Sequence, residues 1–195
     1  MANKGLSDAD QCGWIWFILG PTASGKTTVA KFLAASLHFD YIEGDDFHSQ
    51  ANIEKMSKGI PLSDADRHDW LLSLRDSCRR QHDERQQCIA VAVSALKQKY
   101  RDTLRELSHG HKDLRVAFIY LHVHEDVLRE RAAHRHGHYA GQNLVHSQMD
   151  TLEPPTDDEI DVVEIDAGGD IKKLESDVVE KVRKIMGVSN PGPVK

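Results

Sequence analysis

The chain alternates between two kinds of apolar pattern. Unbroken apolar runs occur at residues 14–19 (WIWFIL), 88–94 (CIAVAVS) and 115–123 (RVAFIYLHV). Short continuous runs of this kind fit strands covered on both faces. The stretches FDYIEGDD (39–46) and DVVEIDA (161–167) read as two further strands. Between the strands, apolar positions recur at helical spacing. Val29, Leu33 and Leu37, with Ala30 and Ala34 beside them, form one such face, and Trp70, Leu71, Leu74 and Cys78 form another. Helical patterns also cover 95–107, 124–135 and 170–186. Five strands alternating with helices predict an α/β fold, a five-stranded parallel sheet flanked by helices. Ligands bind such sheets at the carboxyl ends of the strands, so the residues just after each strand carry the functional reading.

Two stretches depart from the alternation. Residues 52–71 hold few large apolar side chains and a turn signal at Gly59 to Pro61, and read as an excursion over the sheet edge. Residues 129–155 are polar, contain Gly137 and Gly141, and show no strand pattern. The ends, 1–13 and 187–195, read as flexible tails, which leaves 14–186 as one domain.

After the first strand comes Gly20-Pro-Thr-Ala-Ser-Gly-Lys26-Thr27, a match to G-x-x-x-x-G-K-[ST] between a strand and a helix. Average residue usage produces this pattern by chance in roughly one chain of this length in a hundred, and the strand-before, helix-after context lowers that further. The glycines let main-chain N–H groups converge, and the helix N-terminus adds partial positive charge. Gly20, Thr22, Ala23, Ser24, Gly25, Lys26, Thr27 and Thr28 are therefore the candidate triphosphate cradle for ATP. Lys26 reaches the β- and γ-phosphates, and the Thr27 hydroxyl is offered to Mg²⁺.

The second strand ends in EGDDFH, which places Asp45 and Asp46 opposite the γ-phosphate. Either carboxylate there could take the proton of an attacking hydroxyl. After the third strand, Lys97 and Arg101 stand four apart and are expected to share a helical face suited to an anionic acceptor.

Composition narrows the setting. A formal charge of −6 argues against general nucleic-acid or anionic-membrane binding. Three cysteines with no C-x-x-C pair fit reduced thiols and a cytoplasmic protein. No apolar run approaches the length of a membrane span, and no basic segment precedes the first apolar run as a signal peptide requires. Twelve histidines include alternating His134, His136 and His138 with His146 downstream. No cysteine accompanies them and no H-E-x-x-H exists, so a dedicated metal centre is not expected.

Taken in order, GPTASGKTT, GDDFH, NIEKMSKGIPLSDADRHDWL, SALKQKYRD and GHYAGQNLVHSQMDTLEPP resemble the motifs of gluconokinases of the thermoresistant bacterial and eukaryotic type. The resemblance covers about residues 14–186. It implies the fold of the nucleoside-monophosphate and shikimate kinases. It also implies transfer of a phosphoryl group from ATP to the 6-hydroxyl of D-gluconate, giving 6-phospho-D-gluconate and ADP and feeding the pentose phosphate pathway. By that resemblance Asp45 is favoured slightly over Asp46 as the base. His48, Arg67, Trp70, Lys97, Tyr100, Arg101 and His138 would hold gluconate. Residues 129–155 would form a mobile lid whose Arg131 and Arg135 approach the phosphates, Arg135 being the stronger choice for catalysis. Adenine would lie between the base of the lid and Gly168-Gly169. Members of the family are often dimers, so a homodimer is a further expectation. The phosphate loop differs from the common GVSGSGKST in having Ala23 in place of a glycine. Val93 stands where a cysteine is common, and Ala51 where a proline is common. Intact Lys26, Thr27 and Asp45 argue against an inactive relative, and the absence of N-K-x-D argues against a guanine-reading switch.

Overall fold

A computed structural model describes residues 13–136 and 140–188, with the side chains of 135, 136 and 140–143 left out. The expected tails therefore lie outside the described residues except for Gly13, Gly187 and Val188, and so do Gly137 and His138. Gly13 is not tail: it opens the first strand.

The strands are β1 (Gly13–Leu19), β2 (Asp40–Glu43), β3 (Ile89–Val93), β4 (Leu114–His122) and β5 (Val162–Asp166). They form one sheet in the order β2-β3-β1-β4-β5 with every pair parallel. β1 is central and buried along its whole length. Alternate side chains leave a strand on opposite faces. Trp14, Trp16 and Ile18 accordingly enter one core, with α1 (Lys26–Leu37) and α7 (Ile171–Met186). Ile15, Phe17 and Leu19 enter the other, with α3 (Asp64–Arg85) and α4 (Gln98–Arg105). This double burial is why the run carries no polar alternation.

The remaining helices are α2 (Gln50–Ser57), α5 (Glu125–His136) and α6 (Ala140–Thr151). Neither α2 nor α6 was expected. α2 is set by its cap, where Ser49 Oγ accepts from the Asn52 N–H at 3.2 Å, and Asn52 is buried beneath α3 with its amide donating to the Asp66 carbonyl at 2.9 Å. A capping box, Ser63 with Asp66, starts α3. Among the described residues no helix is long and apolar enough to cross a membrane.

The segment entering β5 is fixed by a buried ionic cluster. Arg101 grips Glu159 through two bonds of 2.7 and 2.5 Å, and Arg105 bonds the same carboxylate at 2.7 Å and Asp161 at 2.7 and 2.8 Å. Arg101 also donates to the Glu153 carbonyl at 3.1 Å. The Arg101 and Glu159 side chains are 1% and 3% exposed. Burial raises the Glu159 carboxyl, but the two arginines outweigh it and hold the group at about 2.

Removing one partner of a buried pair leaves the other charge uncompensated, which costs about 3–5 kcal/mol. Glu159→Gln is expected to lose stability of that order in urea denaturation at pH 7. A carboxylate depressed in the folded state contributes stability above its unfolded value and loses it as pH falls toward the folded one. The wild-type protein should therefore lose this contribution between pH 4.5 and about 2, and the variant should show a shallower decline over the same interval.

Candidate functional site

The carboxyl ends of β1, β2 and β3 carry three connections that meet above the sheet: residues 20–25, residues 44–48 and residues 94–97. The first is the predicted phosphate loop. Gly20 and Gly25 hold φ of 147° and 99°, and Gly25 caps α1. Ala23 stands at φ 63°, in the left-handed region that favours glycine, so its departure from the common motif retains the loop's shape at some strain. Ser24 is fully buried, and Thr28 is exposed one turn beyond. The Lys26 ammonium donates to the Pro21 carbonyl at 2.7 Å. The Thr22 N–H donates to the side-chain carbonyl of Gln148 on α6 at 2.6 Å. The Thr27 hydroxyl donates to Glu43 at 2.9 Å, and the Tyr41 hydroxyl donates to the same Glu43 oxygen at 2.6 Å. The Tyr41 phenol is pushed well above its usual range by burial and by the Glu43 carboxylate. Thr27 and Glu43 present hard oxygen atoms side by side, a donor set suited to Mg²⁺ rather than to a softer metal. Among the described residues no group of three or more His, Cys, Asp or Glu could hold a metal ion by itself.

The second connection is a single 3₁₀ turn, residues 44–47, that follows β2 without a break. A Cβ on Gly44 would lie 2.7 Å from the Ala92 carbonyl and 3.2 Å from Val93, so only glycine lets the turn pass this close to β3. From the other side, Trp70 Nε1 donates to the Gly44 carbonyl at 2.7 Å. Held in this way, Asp45 faces Lys26. Its carboxyl is pushed up by desolvation in the cleft and by repulsion from Glu43 and Asp46, while Lys26 pulls it down. With 68% of its side chain still open to solvent, the upward push is screened by water.

From Asp45 the site extends as a chain of neighbours. His48 Nε2 lies 3.9 Å from Asp45, and its ring stacks on Trp70 at 4.2 Å. Burial, with the positive charge of Arg67 adding to it, lowers the His48 imidazole to about 4, so the ring is neutral near pH 7 and the contact with Asp45 is not an ion pair. The Arg67 guanidinium lies 5.8 Å from the Tyr100 ring and donates to the Leu62 carbonyl. Lys97 lies at the same distance from that ring. Asp64 accepts from Lys97 at 3.0 Å, from Lys99 at 2.6 Å and from the Tyr100 hydroxyl, and these donors hold its carboxyl far below the usual range. Among the described residues Arg67 has no carboxylate partner, whereas Lys97 does.

Comparison with known proteins places this arrangement. A family profile described as an AAA domain matches residues 15–155. A Schizosaccharomyces pombe protein named "Probable gluconokinase" is 40% identical over 89% of this chain and 90% of its own. The Escherichia coli thermoresistant gluconokinase is 36% identical over 87% of this chain and 94% of its own. The crystal structure of a gluconokinase from Sinorhizobium meliloti superposes with a TM-score of 0.78, at 34% identity over 91% of this chain and 95% of that one. The chain belongs to the gluconokinase family. A Mycobacterium tuberculosis APS kinase at 15% identity, TM-score 0.62, shows the shared P-loop kinase fold alone.

Of the residues predicted for this family's site, the phosphate loop, Asp45, His48, Arg67, Trp70, Lys97 and Tyr100 are brought together. Trp70 is 3% exposed, so it supports the turn and the His48 ring from within the core. Arg101 is a correction: it faces Glu159 and the Glu153 carbonyl and is sealed from solvent. The shared face with Lys97 fails because α4 begins at Gln98 and Lys97 is its extended cap residue. Arg131 reaches the Gly168 carbonyl at 3.3 Å, which joins α5 to the loop after β5. Arg135 lies in the last turn of α5 with its side chain outside the described set, and His138 lies outside the described residues altogether. The sequence reading omitted Glu43, Asp64 and Gln148 from the site. Glu43 was discoverable from strand parity with Tyr41, while the other two act across distances that no spacing reveals.

Two grooves flank α3. One of about 350 Å³ is lined by Phe47, Asn52, Asp66 and Trp70 among others, and one of about 170 Å³ by Asp64, His68, Lys99 and Tyr100 among others. Neither is lined by a residue of the phosphate loop, whereas Trp70 lines the first and Asp64 and Tyr100 the second.

Because folded His48 resists protonation, the unfolded chain binds a proton that the folded one does not as pH falls from 6.5 toward about 4. Stability should decline over that window. His48→Gln should remove that part of the decline while leaving the lower window of Glu159 in place, as read by urea midpoints across pH.

Proposed function

We propose that this protein phosphorylates D-gluconate at its 6-hydroxyl with ATP, releasing 6-phospho-D-gluconate and ADP in the cytoplasm. Family membership implies ATP binding, and the acceptor is the one named by its relatives. The observation that carries the reading at residue level is the series Lys26, whose charge acts on Asp45, then His48 at 3.9 Å from Asp45, then Arg67, whose charge acts on His48 and which lies 5.8 Å from the Tyr100 ring. It runs from a phosphate-binding cation, through a base, to a cation with no carboxylate partner among the described residues.

In this reading the N–H groups of residues 20–25 and the Lys26 ammonium bind the triphosphate. Thr27, oriented by Glu43, presents its hydroxyl to Mg²⁺, which when bound neutralises charge on the transferring group. Asp45 accepts the proton of the 6-hydroxyl as its oxygen bonds to the γ-phosphorus and the bond from that phosphorus to the ADP oxygen breaks. Arg67 takes the gluconate carboxylate, and neutral His48, its side chain 4% exposed and stacked on Trp70, backs Asp45 from behind. The α5–α6 pair, about residues 129–155, is the lid, with Arg131 and Arg135 approaching the phosphates. Asp46 is the alternative base, and a homodimer remains part of the proposal.

ADP release coupled to a reporter, with Mg-ATP and either D-gluconate, shikimate, glycerate, AMP or no acceptor, tests this directly. Turnover is expected with gluconate. Asp45→Asn should lower kcat about 10²–10⁴-fold, as loss of a general base does, and Asp46→Asn far less. Lys26→Ala should abolish turnover. Arg67→Ala should raise KM for gluconate about 10- to 100-fold with a smaller change in kcat, the signature of a lost charge-assisted bond. Turnover with another acceptor and none with gluconate would discard the sugar-acid assignment.

A further inference from the structure

The face of α6 turned toward the protein carries Val145, which is fully buried, and Met149, which packs against the same core as α1. Gln148 lies beside Met149 on that helix and is half-buried. Its side chain crosses to the phosphate loop, where the Thr22 N–H donates to it at 2.6 Å. An N–H can only donate, so the atom facing it is the amide oxygen. Two side chains at the end of the loop are engaged by the protein as well. Lys26 is turned back onto the Pro21 carbonyl and Thr27 onto Glu43. Those two substitutes come from the loop itself and from β2, next to it. Gln148 alone comes from the α5–α6 region.

We infer that Gln148 is a phosphate surrogate carried by α6. Its amide oxygen takes a main-chain N–H that a bound nucleotide's phosphate requires, so nucleotide and the docked position of Gln148 exclude each other. A charged phosphate oxygen makes a stronger bond to an N–H than a neutral amide oxygen does. Nucleotide therefore wins the exchange at a cost in affinity, and the exchange frees α6 from the loop. Phosphate occupancy and α6 position become linked, and any ligand that holds Gln148 away from the loop favours nucleotide binding by the same factor. This inference rests on the nucleotide reading of the loop given above.

The test uses the full chain and three probes: the non-hydrolysable ATP analogue AMPPNP, ADP, and adenosine, which lacks phosphate. Gln148→Met keeps the size of the side chain and removes the acceptor. Titration calorimetry should show AMPPNP and ADP binding about 2- to 10-fold tighter to Gln148→Met than to wild type, the scale of one neutral hydrogen bond. Adenosine binding should be unchanged. Hydrogen exchange at residues 144–151 should accelerate in wild type when AMPPNP is added, and should already be fast in the unliganded variant. Equal or weaker AMPPNP binding by Gln148→Met, with wild type binding normally, would overturn the surrogate alone and mark Gln148 as a contact in the loaded enzyme. Failure of wild type itself to bind AMPPNP would overturn the nucleotide reading and this inference with it.

Discussion

Everything at the site hangs from β1, a strand buried on both faces. Its odd-numbered and even-numbered side chains enter different cores, so it cannot shift by one residue without placing every side chain in the wrong layer. It is also held by parallel pairing to β3 on one side and β4 on the other. The loop that leaves its end therefore starts from a fixed point. This matters because a cradle of main-chain N–H groups has no side chains with which to adjust. Its precision is inherited from the strand before it and from α1 after it, whose Val29, Ala30 and Leu33 are fully buried. The same logic fixes Asp45. Gly44 is pressed against β3 and tied by Trp70, so the carboxylate is positioned by a backbone contact and one indole hydrogen bond rather than by its own neighbours.

The positive charges of the chain divide into two kinds of work, and burial separates them. Arg101 and Arg105 lie beneath the surface and are matched by Glu159 and Asp161, which close the connection into β5 onto α4. Charges so committed have no capacity left for a ligand. Lys99 and Asp64 sit exposed at the rim, with Lys97 half-buried beside them. Arg67 belongs to neither group. Its influence falls on His48, which it helps to keep neutral. Among the described residues its charge is matched by no carboxylate, and its guanidinium donates to the Leu62 carbonyl.

The fold was legible because burial on two faces writes continuous apolar runs, and the loop because its glycines and lysine are local. Positions governed by local rules came out correctly: Gly20 and Gly25, Asp45 at the end of β2, and the face Trp70, Leu71, Leu74, Cys78 of α3. The misses have a common cause. Arg101 finds Glu159 58 residues away, and no periodicity encodes a pairing at that range. The start of α4 was set early by helical spacing, yet Ala95 and Leu96 are buried as part of an extended connection, which moves Lys97 off the helix. α6 escaped notice because its apolar stripe is thin, Val145 and Met149 among polar residues, and packing onto α5 supplies what its own sequence lacks. Ala23 shows the converse. A residue that departs from the common glycine still adopts a left-handed turn, so the surrounding strand and helix override its local preference.

Donors gathered in one loop are costly to leave unpaired wherever water is restricted. The structure answers with partners drawn from three places, the Pro21 carbonyl for Lys26, Glu43 for the Thr27 hydroxyl, and Gln148 for the Thr22 N–H. The Ser24 hydroxyl, at the heart of the same loop, is fully buried with no hydrogen-bond partner among the described residues. A Cβ on Gly20 would come within 2.7 Å of that hydroxyl, so the orphan sits against the glycine that begins the turn. The protein thus pairs three of the loop's donors and leaves this buried hydroxyl without a partner among the described residues. A fully satisfied loop would resist the nucleotide, and a wholly unsatisfied one would not keep its shape. Two of the three partners are neutral oxygens and the third is a carboxylate, and together they hold the geometry of the cradle.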